Sequence, residues 1–147
     1  MIDIYPLIGD DIACAQELIW NTFLEYEGAD YEQEGIQSFH AFLMDNEALE
    51  TLKLYGAYEE EQLLGVIATR DNGKHISLFF VEATYQQQGI GRMLWEYVKQ
   101  NSTCDEITVN SSPYAVSIYH KLGFIDTDKE QVHNGIRFTP MLYTTKK

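Results

Sequence analysis

The chain is poor in positive charge. Ten Lys and Arg stand against 23 Asp and Glu in 147 residues, a formal net charge of −13. A nucleic-acid partner needs a basic face, so none is expected. Long apolar runs are missing as well. No stretch is long enough to span a bilayer and no charged-then-apolar leader is present, so a cytoplasmic protein without a membrane partner is expected. Cysteine is scarce: Cys14 and Cys104 lie far apart with no pairing logic, and are expected as core thiols rather than a disulfide. The four histidines, His40, His75, His120 and His133, lack metal-ligand spacing, and no metal is assigned. There is no repeat, linker or low-complexity segment. What is present, 45% hydrophobic and 13% aromatic residues, suits one domain with a sizeable core.

The acidity is uneven. Up to residue 62 there are 15 Asp and Glu and a single basic residue, Lys53, whereas 8 acids and 9 bases follow. Solubility explains such a half-chain, and so does a cleft wall that attracts a cationic molecule.

One stretch organises the rest. The apolar run 76–81 is rich in β-branched and aromatic residues, as in a buried strand. Gly89 and Gly91 follow, and from Ile90 the apolar positions Ile90, Met93, Leu94, Tyr97 and Val98 take helical spacing. A strand, a glycine turn and a helix start are therefore expected. The first amides of that helix lack partners within it, its dipole is positive there, and glycine lets a ligand approach the backbone, which together suit a phosphate or pyrophosphate. A turn that only needs small residues is the bland alternative. A dinucleotide fingerprint would want a third glycine where Leu94 stands, and a P-loop would want Gly-Lys-Ser/Thr where Arg92 and Met93 follow.

In chain order, Ile2 and Ile4 begin a short strand that Pro6 marks as an edge or an end. Asp10 or Asp11 can cap a helix carrying Ala15, Leu18, Ile19 and Phe23 inward, which Gly28 stops. A second helical stretch runs over about 31–49. Three strands follow, around Leu54, over 63–69 and over 76–81, with Asn72-Gly73 as a two-residue hairpin signal, making an antiparallel meander. After the glycine turn and its helix, the strand 106–110 follows a strand and a helix, so parallel pairing with 76–81 is expected. Ser112 and Pro113 read as cap and first position of a short helix with Ala115, Ile118, Tyr119 and Leu122 along one side, ended by Gly123. Two strands close the chain, joined at Asn134-Gly135, with Pro140 as a break or edge.

Two motifs now stand on the expected elements. Gln86-x-x-Gly89-x-Gly91 lies at the strand-to-helix turn, and Asn110 precedes a helix with Ala115-x-x-x-Tyr119 and then Gly123-Phe124. Both resemble the signatures of the GNAT superfamily of N-acetyltransferases, and the order of elements matches over nearly the whole chain. The resemblance implies a single mixed α/β domain: strand, two helices, three antiparallel strands, helix, strand, helix, two strands, the mostly antiparallel sheet splayed between 76–81 and 106–110. It implies acetyl-CoA as co-substrate, with the pyrophosphate on the amides of Gln87, Gln88, Gly89, Ile90, Gly91 and Arg92, and with the side chains of Arg92 and Gln86 adding contacts. Phe80 and Val81 would offer backbone groups to the pantetheine arm and the acetyl carbonyl, and Asn110 would hold the pantetheine from the neighbouring strand.

By position, Tyr119 matches the general acid of that family. A phenol stays protonated at working pH and can reprotonate a departing thiolate. For the base the residues leave Glu25, Glu27, Glu34, His40 and Glu82 open, beside a water relay. The implied reaction is acetyl transfer to a primary amine. The acidic first half suggests a small cationic acceptor, with a protein or peptide amine as the other possibility. A non-catalytic acyl-CoA sensor on the same fold is the rival, against which the presence of Tyr119 argues. Exposed β edges near the C-terminus are compatible with a homodimer.

Overall fold

The computed structural model describes residues 1–145. Its elements in chain order are β1 (Ile2–Pro6), α1 (Asp11–Tyr26), α2 (Gln33–Leu43), α3 (Asn46–Glu50), β2 (Lys53–Glu59), β3 (Gln62–Arg70), β4 (His75–Val81), α4 (Ile90–Asn101), β5 (Glu106–Ser111), α5 (Val116–Leu122), β6 (Ile125–Asp126), β7 (Gln131–His133) and β8 (Ile136–Thr144). The strands lie in the order β1-β2-β3-β4-β5-β8-β6, with β7 pairing β8 as well. All neighbours are antiparallel except β4 and β5. This is the mixed single-domain sheet expected from the sequence. No helix among the described residues is long and apolar enough to cross a membrane.

Two cores lie on opposite faces of the sheet. On one face α1 buries Ala15, Leu18, Ile19 and Phe23 against Leu54, Val66, Ala68, Leu78 and Phe80. On the other, α4 and α5 bury Ile90, Leu94, Trp95, Val98 and Tyr119 against Ile67, Ile76, Ile107, Val109 and Met141. Apolar burial of this extent on both faces is the main favourable term in folding.

Several local expectations are revised. The helical stretch 31–49 is broken at Asp45, whose extended backbone and side chain cap a new helix: its carboxylate accepts the amides of Glu47 at 3.0 Å and Ala48 at 3.3 Å. Asp10 sits at the start of α1 without a side-chain capping bond. The turn at Asn72-Gly73 is longer than two residues, because Asp71, Asn72 and Gly73 all take positive φ between β3 and β4. Cys14 is exposed and Cys104 half-buried, so neither is a core thiol. Ile118 is 41% exposed and faces the cleft described below instead of the core. β6 and β7 are one interrupted partner of β8, and Pro140 sits between their two pairings, its carbonyl accepting the Thr127 amide at 2.9 Å.

The feature that positions the site is a β-bulge in β4. The register with β3 passes from Ala68↔Leu78 to Thr69↔Ile76, so Ser77 is an extra residue. The bulge exchanges the faces of the strand: Ile76 packs with the α4 side, Leu78 and Phe80 with the α1 side, and Phe79 and Val81 with the α4 side again. β5 pairs β4 only before it, at His75↔Thr108 and Ile76↔Val109. Beyond the bulge the two parallel strands part.

Candidate functional site

A cleft of about 560 Å³ opens where β4 and β5 separate. Its walls are the C-terminal end of α1, the end of β4, the turn before α4, and the segment from Tyr114 to Leu122. Of the residues expected from the sequence, Phe80, Val81, Gln86, Gln87, Gly89, Gly91, Arg92 and Tyr119 line it.

The glycine turn has the expected form. Gly89 is left-handed at φ +86°, a conformation that favours glycine, and Gln87 is also left-handed at φ +66°. The first intrahelical bond of α4 runs from the Met93 amide to the Gly89 carbonyl at 3.0 Å. The amides of Ile90, Gly91 and Arg92 therefore precede the hydrogen-bonded part of the helix, at its positive end. A Cβ on Gly91 would point at Val81 Cγ2, 3.6 Å away, and Phe79 Cζ, 3.7 Å away, into the floor of the cleft. At the rim, Arg92 reaches the Lys121 carbonyl at the end of α5, at 3.4 Å. Lys121 lines the cleft too and supplies a second cation, which sequence reading did not single out.

Three expected residues stand apart. Ile90 is 3% exposed and its side chain is core, so it offers only its amide. The Gln88 side chain turns back to the Thr84 carbonyl at 3.3 Å. Asn110 is exposed and lies outside the cleft, since the pleat of β5 gives Ile107, Val109 and Ser111 to the buried side and Asn110 to the other. Phe80 needs a correction as well. The Glu82 amide donates to the Leu64 carbonyl at 2.8 Å, and by the alternation of an antiparallel ladder the Phe80 main chain faces β3 too. Phe79 and Val81 turn their backbone groups to the gap instead. There the Val81 carbonyl accepts the Gln86 side-chain amide at 3.0 Å, and the Gln86 side-chain Oε1 accepts the Tyr114 hydroxyl at 2.8 Å.

The inner end of the cleft holds the titratable groups. α5 is set by Gly123, left-handed at φ +107°, and by the Phe124 amide donating to the Tyr119 carbonyl at 3.0 Å. Phe124 packs on Tyr119 and Trp95, with ring centroids 5.2 and 4.9 Å away. Tyr119 is 5% exposed, and burial, then the nearby Glu27 carboxylate, push its hydroxyl above the usual phenol range. It is protonated across the working pH range.

The structure separates the five candidate bases. Glu25 and Glu34 are exposed, and the exposed His40 ring rests against Trp20, centroids 4.5 Å apart. Glu82 caps a turn, accepting the Thr84 amide at 2.9 Å. Of these five, Glu27 alone lines the cleft. It closes α1, its amide donating to the Phe23 carbonyl at 2.8 Å, and is 8% exposed. Burial raises its pKa to about 7; a hydrogen bond from Ser112 opposes the rise and the charge of Asp30 adds to it. Buried carboxylates behave this way because the charged form loses its water. Tyr26 and Tyr114, with ring centroids 5.1 Å apart, flank the same end.

A family model described as an acetyltransferase (GNAT) domain matches residues 27–145. No curated protein matches the sequence. Among solved structures, a GCN5-related N-acetyltransferase from Rhodopseudomonas palustris superposes with a TM-score of 0.84 at 17% identity, over 97% of this chain and 94% of that one. The PaiA N-acetyltransferase of Thermoplasma acidophilum, in complex with coenzyme A, gives 0.73 at 17% identity, over 98% and 99%. The ribosomal-protein-S18-alanine N-acetyltransferase of Escherichia coli gives 0.66 at 16% identity, over 100% and 96%. At these identities the likeness is one of fold.

Proposed function

The chain belongs to the GNAT acetyltransferase family, and from that premise we propose that it is an acetyl-CoA-dependent N-acetyltransferase acting on a primary amine. The observation that carries this reading is one cleft with an anion-binding helix start at one end and Glu27 with Tyr119 at the other. The pyrophosphate of acetyl-CoA fits the amides of residues 87–92, with Arg92 and Lys121 at the rim. The pantetheine arm fits the gap beside Phe79 and Val81, whose backbone groups face it. A coenzyme A complex of a neighbour with the same fold supports the choice of ligand.

The chemistry needs one base and one acid. An alkylamine with a lysine-like pKa of about 10.4 is mostly protonated at neutral pH and cannot attack in that form. Glu27, with its pKa near 7, is suited to take a proton at neutral pH. The amine nitrogen bonds to the thioester carbonyl carbon, the C–S bond breaks, the CoA sulfur receives the Tyr119 hydroxyl proton, and the proton shed by the new amide nitrogen restores the Tyr119 hydroxyl. The Val81 amide is the backbone donor placed for the carbonyl oxygen. A cationic acceptor is favoured by the carboxylates of Asp11, Glu17, Glu25, Glu61 and Glu82, which line a groove along α1 that meets the cleft at Thr22. Protein and peptide amines are the competing acceptors.

The test combines thermal unfolding with turnover. Acetyl-CoA at a hundred times its Kd should add about 2.7 kcal/mol of stability, whereas NAD and ATP should add nothing. Tyr119→Phe should keep that shift and lose about a hundredfold or more in kcat with a polyamine, an aminoglycoside or a peptide amine as acceptor. No shift with saturating acetyl-CoA would refute the reading.

A further inference from the structure

We propose that Tyr114 is a specificity-determining residue for the acyl group: held across the cleft by Gln86, its ring closes the inner end and restricts the thioester to acetyl and other short acyl chains. The inference rests on the reading of the cleft as an acyl-CoA site and deepens it.

A side chain joins the two walls of the cleft. Gln86 follows β4, and its side-chain Nε2 donates to the Val81 carbonyl at 3.0 Å. Its Oε1 accepts the Tyr114 hydroxyl from the opposite wall at 2.8 Å. These partners fix the orientation of the amide, since a flip would set its oxygen against the Val81 carbonyl oxygen. Hydrogen bonds linked head to tail in this way strengthen one another. Gln86 is itself held by the turn before it. There the Glu82 carboxylate accepts the Thr84 amide at 2.9 Å, and the Glu82 carbonyl accepts the Tyr85 amide at 2.9 Å. The residue that the family resemblance set beside the pyrophosphate thus commits both ends of its side chain to bracing the cleft.

Tyr114 is fixed from three sides. Its backbone lies in the single 3-10 turn Pro113–Ala115, where the Ser112 hydroxyl oxygen accepts the Ala115 amide at 3.3 Å. Its ring packs on Tyr26 of α1, with centroids 5.1 Å and planes 33° apart. Rings at that separation touch and leave no passage between them. Its hydroxyl is held by Gln86. The two rings therefore link α1 to the segment after β5 and form an end wall of the cleft. Glu27 and Tyr119, at the same end, are 8% and 5% exposed, which marks that end as narrow. The thioester carbonyl is assigned to Val81, the residue that Gln86 braces. An acyl chain longer than acetyl must then push the Tyr114 ring aside, break its bond to Gln86 and strip Tyr26 of its partner. Packed side chains resist such insertion.

Calorimetry with acetyl-CoA and hexanoyl-CoA tests this, because the ratio of two affinities on one protein cancels general damage to the fold. The unaltered protein should bind hexanoyl-CoA about tenfold or more weakly than acetyl-CoA. Tyr114→Ala should cut that preference by about tenfold. Tyr114→Phe keeps the ring and loses the hydroxyl bond, and Gln86→Leu removes its acceptor; each should cut the preference by about threefold. The double variant should do no more than Gln86→Leu alone, since the bond between the two residues is already lost. These two changes of similar size also cover the case in which the alanine variant does not fold. A preference that stays in place in all four variants, with acetyl-CoA still bound, would overturn the proposal and leave the cofactor reading intact. Equal binding of the two esters by the unaltered protein would do the same. A preference that moves with Tyr114→Ala alone would overturn the part given to Gln86. An unaltered protein that binds neither ester would remove the cofactor reading, and this proposal with it.

Discussion

Replacing Glu27 by glutamine should make the protein more stable, by an amount that grows with pH. The carboxyl is 8% exposed and its pKa is raised from 4.5 to about 7. A raised carboxylate pKa means that the folded state holds the proton more tightly than the unfolded state. Its stabilising effect is complete below the unfolded pKa and is lost as pH rises through the folded one. A displacement of about 2.5 units at 1.36 kcal/mol each amounts to about 3 kcal/mol at pH 8 and to less than about 1 kcal/mol at pH 5. Glutamine does not titrate and keeps an oxygen for the Ser112 hydroxyl. The variant should therefore gain about 2 kcal/mol on the unaltered protein between pH 5 and pH 8, or about 6 °C in Tm at roughly 3 °C per kcal/mol. Comparing the two proteins across pH removes the fixed cost of burying the amide. It also cancels His75, which burial lowers to about 4 and which titrates in the same window in both. The assay is urea unfolding at several pH values, with acetyl transfer measured alongside. Stability curves that run parallel from pH 5 to pH 8 would refute the account of Glu27 as a carboxylate ionised against its surroundings. A stabilised and inactive variant is the signature of strain kept for function.

Two further perturbations test the architecture around the cleft. Gly91→Ala introduces a methyl group that makes only ordinary contacts with Val81 and Phe79, so the chain should fold with unchanged or slightly higher stability; bound to the pyrophosphate as proposed, acetyl-CoA should lose about tenfold or more in affinity by calorimetry, a loss of about 1.4 kcal/mol. Gly35→Ala places a methyl group against the Gly135 carbonyl, where the hairpin between β7 and β8 meets the start of α2; it should cost about 1–3 kcal/mol in urea unfolding, and an unchanged midpoint would show that the hairpin does not dock there.

Much of this architecture was legible because it is written locally. Periodicity separated strands from helices, Gly89 marked a left-handed turn that favours glycine, and Gly123-Phe124 marked the end of α5. Each depends on neighbours within a few residues, so sequence alone suffices for it. The break at Asp45 was equally local and was hidden only by the apolar spacing on either side of it.

Other features exist only once distant segments meet. Nothing near Glu27 in the sequence distinguishes it from Glu25 or Glu34. It becomes the one buried carboxylate of the cleft because α1 ends where Ser112 and Tyr119 arrive from another part of the chain. Desolvation is a property of the assembled surroundings, and no single residue carries it. The bulge at Ser77 likewise appears only in the pairing of β4 with β3, yet it decides that Phe79 and Val81, and not Phe80, turn their backbone to the gap. The Gln86–Tyr114 bond and the contact of Gly35 with Gly135 span 28 residues in the first case and an approach closed to any larger side chain in the second. By itself the sequence determined most of the elements, their order, and the glycine turn that opens α4, since short-range geometry governs all three. Which carboxylate is buried in the cleft, and which strand atoms face the gap between β4 and β5, were decided by tertiary structure, because burial and register arise only when the chain is packed.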